Sequence, residues 1–143
     1  MLFANMHLAY ELLSEPMKRL LADWTAVHAP DPRAGMVDAN TTAQHPVVVR
    51  HPVTGRPTLF VNQAHTSHIV QLDPEASAAT LHVLYRHVET RPVLTCRIRW
   101  TADALVVWDN RSTQHLTLQD FRPRCLAGHV VSLAGDRPER WVG

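Results

Sequence analysis

Ten histidines supply most of the reactive chemistry in this chain, because imidazole is both a common ligand for first-row metals and a proton carrier near neutral pH. His115 has the most specific setting. It ends the stretch "VVWDNRSTQH", in which a short apolar run meets a tight polar turn before the imidazole arrives. A facial-triad site for non-haem iron needs two histidines and one carboxylate on one side of the ion, leaving the other side open. Two of those ligands can come from positions i and i+2 at a strand end. The only such spacing in the chain is His87-Val88-Glu89. It closes a helical pattern before Thr90-Arg91-Pro92, so it is set aside as a ligand pair.

The other histidines have plainer readings. His45 and His51 each precede a proline, which pushes the backbone to extended geometry and predicts strand ends. His65 and His68 fall in the polar loop "NQAHTSHIV", and His82 and His87 are expected on the solvated face of a helix. Cys96 and Cys125 lie far apart, without the spacing of a zinc site or a disulfide framework. The default compartment is therefore the reducing cytoplasm.

The elements that must hold His115 are short, since ten prolines punctuate the chain. From Leu8 to Val27 apolar residues recur at helical steps. Ser14 and Pro16 mark a new start, which predicts one helix ending near Leu13 and a second from about Glu15 to His28. Residues 29–44 have no periodicity and read as a mobile loop. "HPVVVRHPVTGRPTLFVN" predicts a β-hairpin turning at Gly55. Asp73-Pro74 opens a further helix to about His87, with Leu81, Leu84, Tyr85 and Val88 on one face. Downstream, "LTCRIRW" alternates Cys96, Ile98 and Trp100 with polar residues. "ALVVWDN", "HLTL" and "GHVVSLAGD" read as three more strands. The class is mainly β with flanking helices (α+β), an antiparallel sandwich or jelly roll.

Composition narrows the function classes. The 143 residues carry a net charge of +1 and 45% hydrophobic content, enough for a single domain with its own core over 1–143. There is no basic stripe for nucleic acid, and no segment with the pattern of a membrane span or signal peptide. Electrostatics therefore names no partner.

"FANMHLAYELLSEPMKRLL", "HPVVVRHPVTGRPTLFVN", "VVWDNRSTQH" and "VVSLAGDRP" occur in this order, and together they closely resemble the taurine dioxygenase (TauD/TfdA-like) family. These are iron(II)- and 2-oxoglutarate-dependent oxygenases on a double-stranded β-helix. The resemblance covers essentially the whole chain and corresponds to the family's C-terminal portion. The chain is thus expected to be an incomplete jelly roll, truncated at its N-terminal side, because the family's His-x-Asp ligand pair lies upstream of the position matched by Met1.

The resemblance implies Fe(II) as the metal, 2-oxoglutarate as co-substrate and hydroxylation of a small organic substrate, a sulfonate being the family's example. His115 matches the distal iron-binding histidine. Asp109, Asn110 and Arg111 match the turn before it and are expected to support the site. The family's co-substrate arginine falls on Leu126, and a second arginine that contacts anionic substrates falls on Val130. Arg124 lies two residues before Leu126, on the same face of a regular strand, and is the candidate replacement for binding 2-oxoglutarate. The missing ligand pair would have to come from a longer chain or a complementing partner chain, and the open strand edges of an incomplete jelly roll imply a homo-oligomer. The alternative reading is a non-catalytic family member acting as a binding or assembly module.

Overall fold

The computed structural model describes residues 1–29, 42–118 and 127–143. Among these residues the elements follow the order β1 (Leu2–Asn5), α1 (Met6–Glu11), α2 (Glu15–Leu21), β2 (Thr25–His28), β3 (Ala43–Pro46), β4 (Val48–Arg50), β5 (Pro57–Leu59), β6 (Thr66–Ile69), α3 (Pro74–Glu89), a 3-10 turn at Pro92–Leu94, β7 (Thr95–Arg97), β8 (Thr113–Leu116) and β9 (Glu139–Arg140). The strands pair antiparallel in three small sheets, ordered β7-β1-β8, β3-β2-β6 and β5-β4-β9. With helices flanking the sheets, this is the incomplete double-stranded β-helix expected from the sequence. Ala4, Met6, Leu21, Ala26, Val48, Leu59, Ile69 and Leu84 bring all three sheets and all three helices into one hydrophobic cluster.

Local chemistry explains where the helices begin. The Asn5 side-chain oxygen accepts from the backbone N–H groups of His7 and Leu8, both at 3.1 Å, so the residue that ends β1 also caps α1. Ser14 caps α2, with proline in the first turn. Asp73 Oδ1 accepts from Ala76 N–H at 2.9 Å to cap α3. Buried Ser77 then accepts from Ile69 N–H at 2.8 Å, which docks α3 on β6. Leu81 and Leu84 are buried on the inner face of α3, and Tyr85 and Val88 pack beside them, as their spacing predicts. The hairpin also forms in the expected place. β4 and β5 pair as Val48↔Leu59, Val49↔Thr58 and Arg50↔Pro57, with Gly55 at φ 70° in the loop.

Four expectations need correction. The second helix stops at Leu21, and Thr25–His28 is a strand paired on both sides, with β3 and β6. Its helical spacing is outweighed by two ladders of hydrogen bonds and by the complete burial of Ala26. β1 was not anticipated, because four residues running straight into a helix leave no turn signal. His87 is buried rather than solvated, and its Nε2 donates to the Ala9 carbonyl at 2.7 Å. Finally, the stretches expected as strands at 104–110 and 128–136 join no ladder among the described residues. Leu105, Val107, Val131 and Leu133 are exposed, as is Cys96 on β7. An apolar run becomes a strand only where a neighbour offers hydrogen bonds, and these two have none among the described strands. Most of the loop expected at 29–44 lies outside the described residues.

Candidate functional site

β8 delivers His115. Among the described residues β8 is an edge strand paired with β1 alone, where Phe3 lies directly opposite His115. Residues directly opposite on paired strands share a face, and the Phe3 and His115 ring centres are 6.1 Å apart. Trp108 completes an aromatic group, 5.1 Å from His115 and 5.3 Å from Phe3. The His115 ring is thus backed by two aromatic rings while the residue itself remains exposed.

The turn before β8 is held by a dense set of hydrogen bonds. Arg111 grips the Asp109 carboxylate through Nε at 2.9 and 3.1 Å and through Nη2 at 2.7 Å. This is the paired geometry that a planar guanidinium makes with a carboxylate. The Arg111 backbone N–H also donates to Asp109 Oδ1 at 2.9 Å, and Ser112 N–H donates to the Asp109 carbonyl. Arg111 holds the Asp109 carboxyl well below the usual carboxylate range against the opposing effect of partial burial, and His51 adds to the depression. Asp109 in turn raises the Arg111 guanidinium. Asn110 Oδ1 accepts from Trp108 Nε1 at 2.8 Å, which ties the ring behind His115 to the turn. Met6 N–H donates to the Ser112 carbonyl at 2.9 Å, and Gln114 Nε2 donates to the Val61 carbonyl.

Two functional candidates escaped the reading of the sequence. His51 is buried and its Nε2 lies 3.1 Å from Asp109 Oδ2. His7, also buried, packs at a tilt against His51 with ring centres 5.4 Å apart and directs Nδ1 at the Pro57 carbonyl and the Thr58 hydroxyl, at 2.7 and 2.9 Å. The contacts span 58 residues for His51 and about 50 for His7, so no local pattern announces them. The one available signal was the placement of His51 at the mouth of the hairpin loop.

His28 and His45 form a separate cluster on β2 and β3, packed around Phe60. Burial first, then the neighbouring His45 and His65, lowers His28 to about 4. Among the described residues no group of three His, Cys, Asp or Glu side chains is arranged to hold a metal. The described donors therefore do not fit a complete iron site. An open depression of about 380 Å³ beside the turn is lined by Asn5, His7, Thr95, Cys96, Ser112 and Thr113 among others, but not by His115. Arg124 and Leu126 lie outside the described residues, and Val130 is exposed. No helix among the described residues is long and apolar enough to cross a membrane.

Comparison with known proteins agrees with this architecture. The profile of the family described as "Taurine catabolism dioxygenase TauD, TfdA family" matches residues 2–130. An alpha-ketoglutarate-dependent dioxygenase, cnsP, of Penicillium expansum is 36% identical over 123 residues, covering 79% of this chain and 33% of its own length. An alpha-ketoglutarate-dependent sulfonate dioxygenase of Saccharomyces cerevisiae is 34% identical over 128 residues, covering 84% of this chain and 31% of its own. The crystal structure of a taurine dioxygenase from Burkholderia xenovorans superposes with a TM-score of 0.70 at 35% identity, over 78% of this chain and 38% of that one. The chain thus spans about a third of the length of these relatives. With the profile matching residues 2–130 of the 143 and the relatives sharing about a third of their aligned residues, the chain belongs to the TauD/TfdA dioxygenase family.

Proposed function

We propose that this chain is the C-terminal, distal-histidine-bearing portion of an iron(II)- and 2-oxoglutarate-dependent dioxygenase, with His115 as its metal ligand. The observation that carries the reading is the placement of His115 on β8 immediately after the Asp109–Arg111 clamp, backed by Phe3 and Trp108. Asp109, Asn110 and Arg111 act as its support, since each fixes the turn or the ring behind it. Arg124 is the anchor for the far carboxylate of 2-oxoglutarate, which a guanidinium meets through two parallel hydrogen bonds. When bound, the iron supplies the oxygen chemistry. This chain contributes one ligand and its orientation, and a complementing chain or further polypeptide contributes the rest.

The substrate class proposed is a small organic molecule, with sulfonates the first to screen because the yeast relative is named for them. Val130 leaves the second anion contact without its arginine. A soluble cytoplasmic setting and a single domain over 1–143 complete the reading. A second reading, a non-catalytic binding or assembly module, draws support from exposed Leu105, Val107, Val131 and Leu133, since open apolar surface invites association.

Anaerobic titration of the 143-residue chain with iron(II) and 2-oxoglutarate separates the two. The oxygenase reading expects a weak, saturable visible charge-transfer band that disappears in His115→Ala. Persistence of the band in His115→Ala rejects His115 as the ligand, whereas absence of any band means that His115 stands without its partner donors and favours the non-catalytic module.

A further inference from the structure

The loop of the β4–β5 hairpin and the turn before His115 are far apart in sequence, yet a single buried side chain joins them. His51 closes the hairpin: its N–H donates to the Arg56 carbonyl at 2.9 Å, and its carbonyl accepts from Gly55 N–H at 2.8 Å. Its ring faces both ways. On one side Nδ1 accepts from the backbone N–H groups of Val53 and Thr54, at 3.3 and 3.2 Å. On the other side Nε2 meets Asp109 Oδ2 at 3.1 Å.

The two N–H donors decide the tautomer. A ring nitrogen that receives hydrogen bonds must present its lone pair, so Nδ1 carries no proton and the proton of the neutral ring sits on Nε2. Nε2 then donates to the carboxylate, which can only accept while ionised. The hairpin backbone thereby sets the polarity of a bond to the turn. His7 packs at a tilt against the ring, with centres 5.4 Å apart, and is itself held by Pro57 and Thr58 of β5.

From Asp109 the constraint reaches His115 by two routes. One runs through Oδ1, which holds the Arg111 backbone N–H, into Ser112 and the first residue of β8. The other runs through the adjacent Trp108, tied by Asn110 and packed at 5.1 Å against His115. We infer that His51 is a positioning residue whose hairpin-fixed Nε2–H tautomer anchors Asp109 and so sets the direction in which β8 presents His115. The inference rests on the proposed ligand role of His115 for its functional meaning, but its geometry stands without metal.

Two substitutions divide the halves of the ring. His51→Gln places an amide N–H near Nε2 and keeps the bond to Asp109. His51→Asn places an oxygen near Nδ1, keeps the hairpin contacts and cannot reach Asp109. The experiment is NMR on the metal-free chain: long-range proton–nitrogen spectra of the His51 and His115 rings, and amide exchange at Arg111. The wild type is expected to show the Nε2–H tautomer at His51. His51→Asn should accelerate exchange at the Arg111 amide about tenfold, as loss of a charge-assisted bond implies, and shift the His115 ring signals. His51→Gln should restore both.

Equal disturbance by the two variants reduces His51 to a merely structural residue and overturns the inference. So does an undisturbed Arg111 and His115 in a folded His51→Asn chain. Should neither variant fold, an Nδ1–H tautomer in the wild type overturns it and an Nε2–H tautomer upholds it. Because no iron is present, the outcome is independent of the charge-transfer titration, whose failure would count against the oxygenase reading alone.

Discussion

The His28 cluster makes stability depend on pH in a calculable way. His28 sits diagonally across the β2–β3 pair from His45, with ring centres 5.5 Å apart, and its Nε2 is buried without a hydrogen-bond partner. Burial and the neighbouring histidines lower it from 6.5 to about 4 in the folded chain. Above pH 6.5 the ring is neutral in both states and the cluster costs nothing further. As pH falls from 6.5 toward 4, the unfolded chain takes up a proton that the folded chain refuses, so stability is lost across that window. One pH unit is worth about 1.4 kcal/mol, which gives a ceiling of about 3 kcal/mol. Part of the ring reaches solvent, and screening brings the expected loss to about 2 kcal/mol. The assay is urea unfolding of wild type and His28→Phe at a series of pH values between 7 and 4. The substitution keeps the contact with Phe60 and removes the proton site. The two chains should differ little at pH 7, and the variant should be more stable by about 2 kcal/mol near pH 4. His45 and His87 are also lowered by burial but are common to both chains, so they cancel in the difference. A difference that stays flat from pH 7 to 4 would refute the reasoning.

Other consequences follow from single contacts. His87→Leu should lose about 1–3 kcal/mol, because the buried Ala9 carbonyl loses the donor now 2.7 Å away; chemical denaturation showing no loss would return His87 to the solvated face expected from sequence. Gly55→Ala should cost about 1 kcal/mol through its positive φ alone, since an added methyl meets nothing closer than 3.9 Å, and a neutral result in thermal unfolding would exclude strain at this loop. Exposed Leu105, Val107, Val131 and Leu133 predict association in solution, and a stable monomer by size-exclusion chromatography at low micromolar concentration would contradict it.

Where the sequence was legible, a local rule acted alone. Asp73-Pro74 caps α3 because an N-cap and a proline need only their own backbone, and Gly55 turns the hairpin because only one residue there needs positive φ. The polar turn before His115 was legible for the same reason, since Asp109 and Arg111 bond each other across two residues. Elements that depend on distant partners were misread. Thr25–His28 had helical spacing but takes its state from β3 and β6, and "ALVVW" had a strand's composition but no ladder beside it among the described residues. His51 shows the limit most directly. Its proline predicted an extended backbone, while its importance comes from Asp109, 58 positions away.

The same distinction bears on how the site is built. Affinity for a metal in a triad needs three donors, whereas the direction of one donor needs only a rigid second set of contacts. The contacts that fix the turn before His115 come from β1, the start of α1, the β4–β5 hairpin and Asp109–Arg111. All of them lie within this chain. The backbone that carries His115 is therefore held by contacts that need no metal. A chain arranged in this way can lack affinity and still keep geometry, so the His51–Asp109 contact and the charge-transfer titration test separable properties. A chain in which the clamp is intact but no band forms would have kept the support of a ligand after losing its use, and the cost of that support would then have to be explained by folding alone.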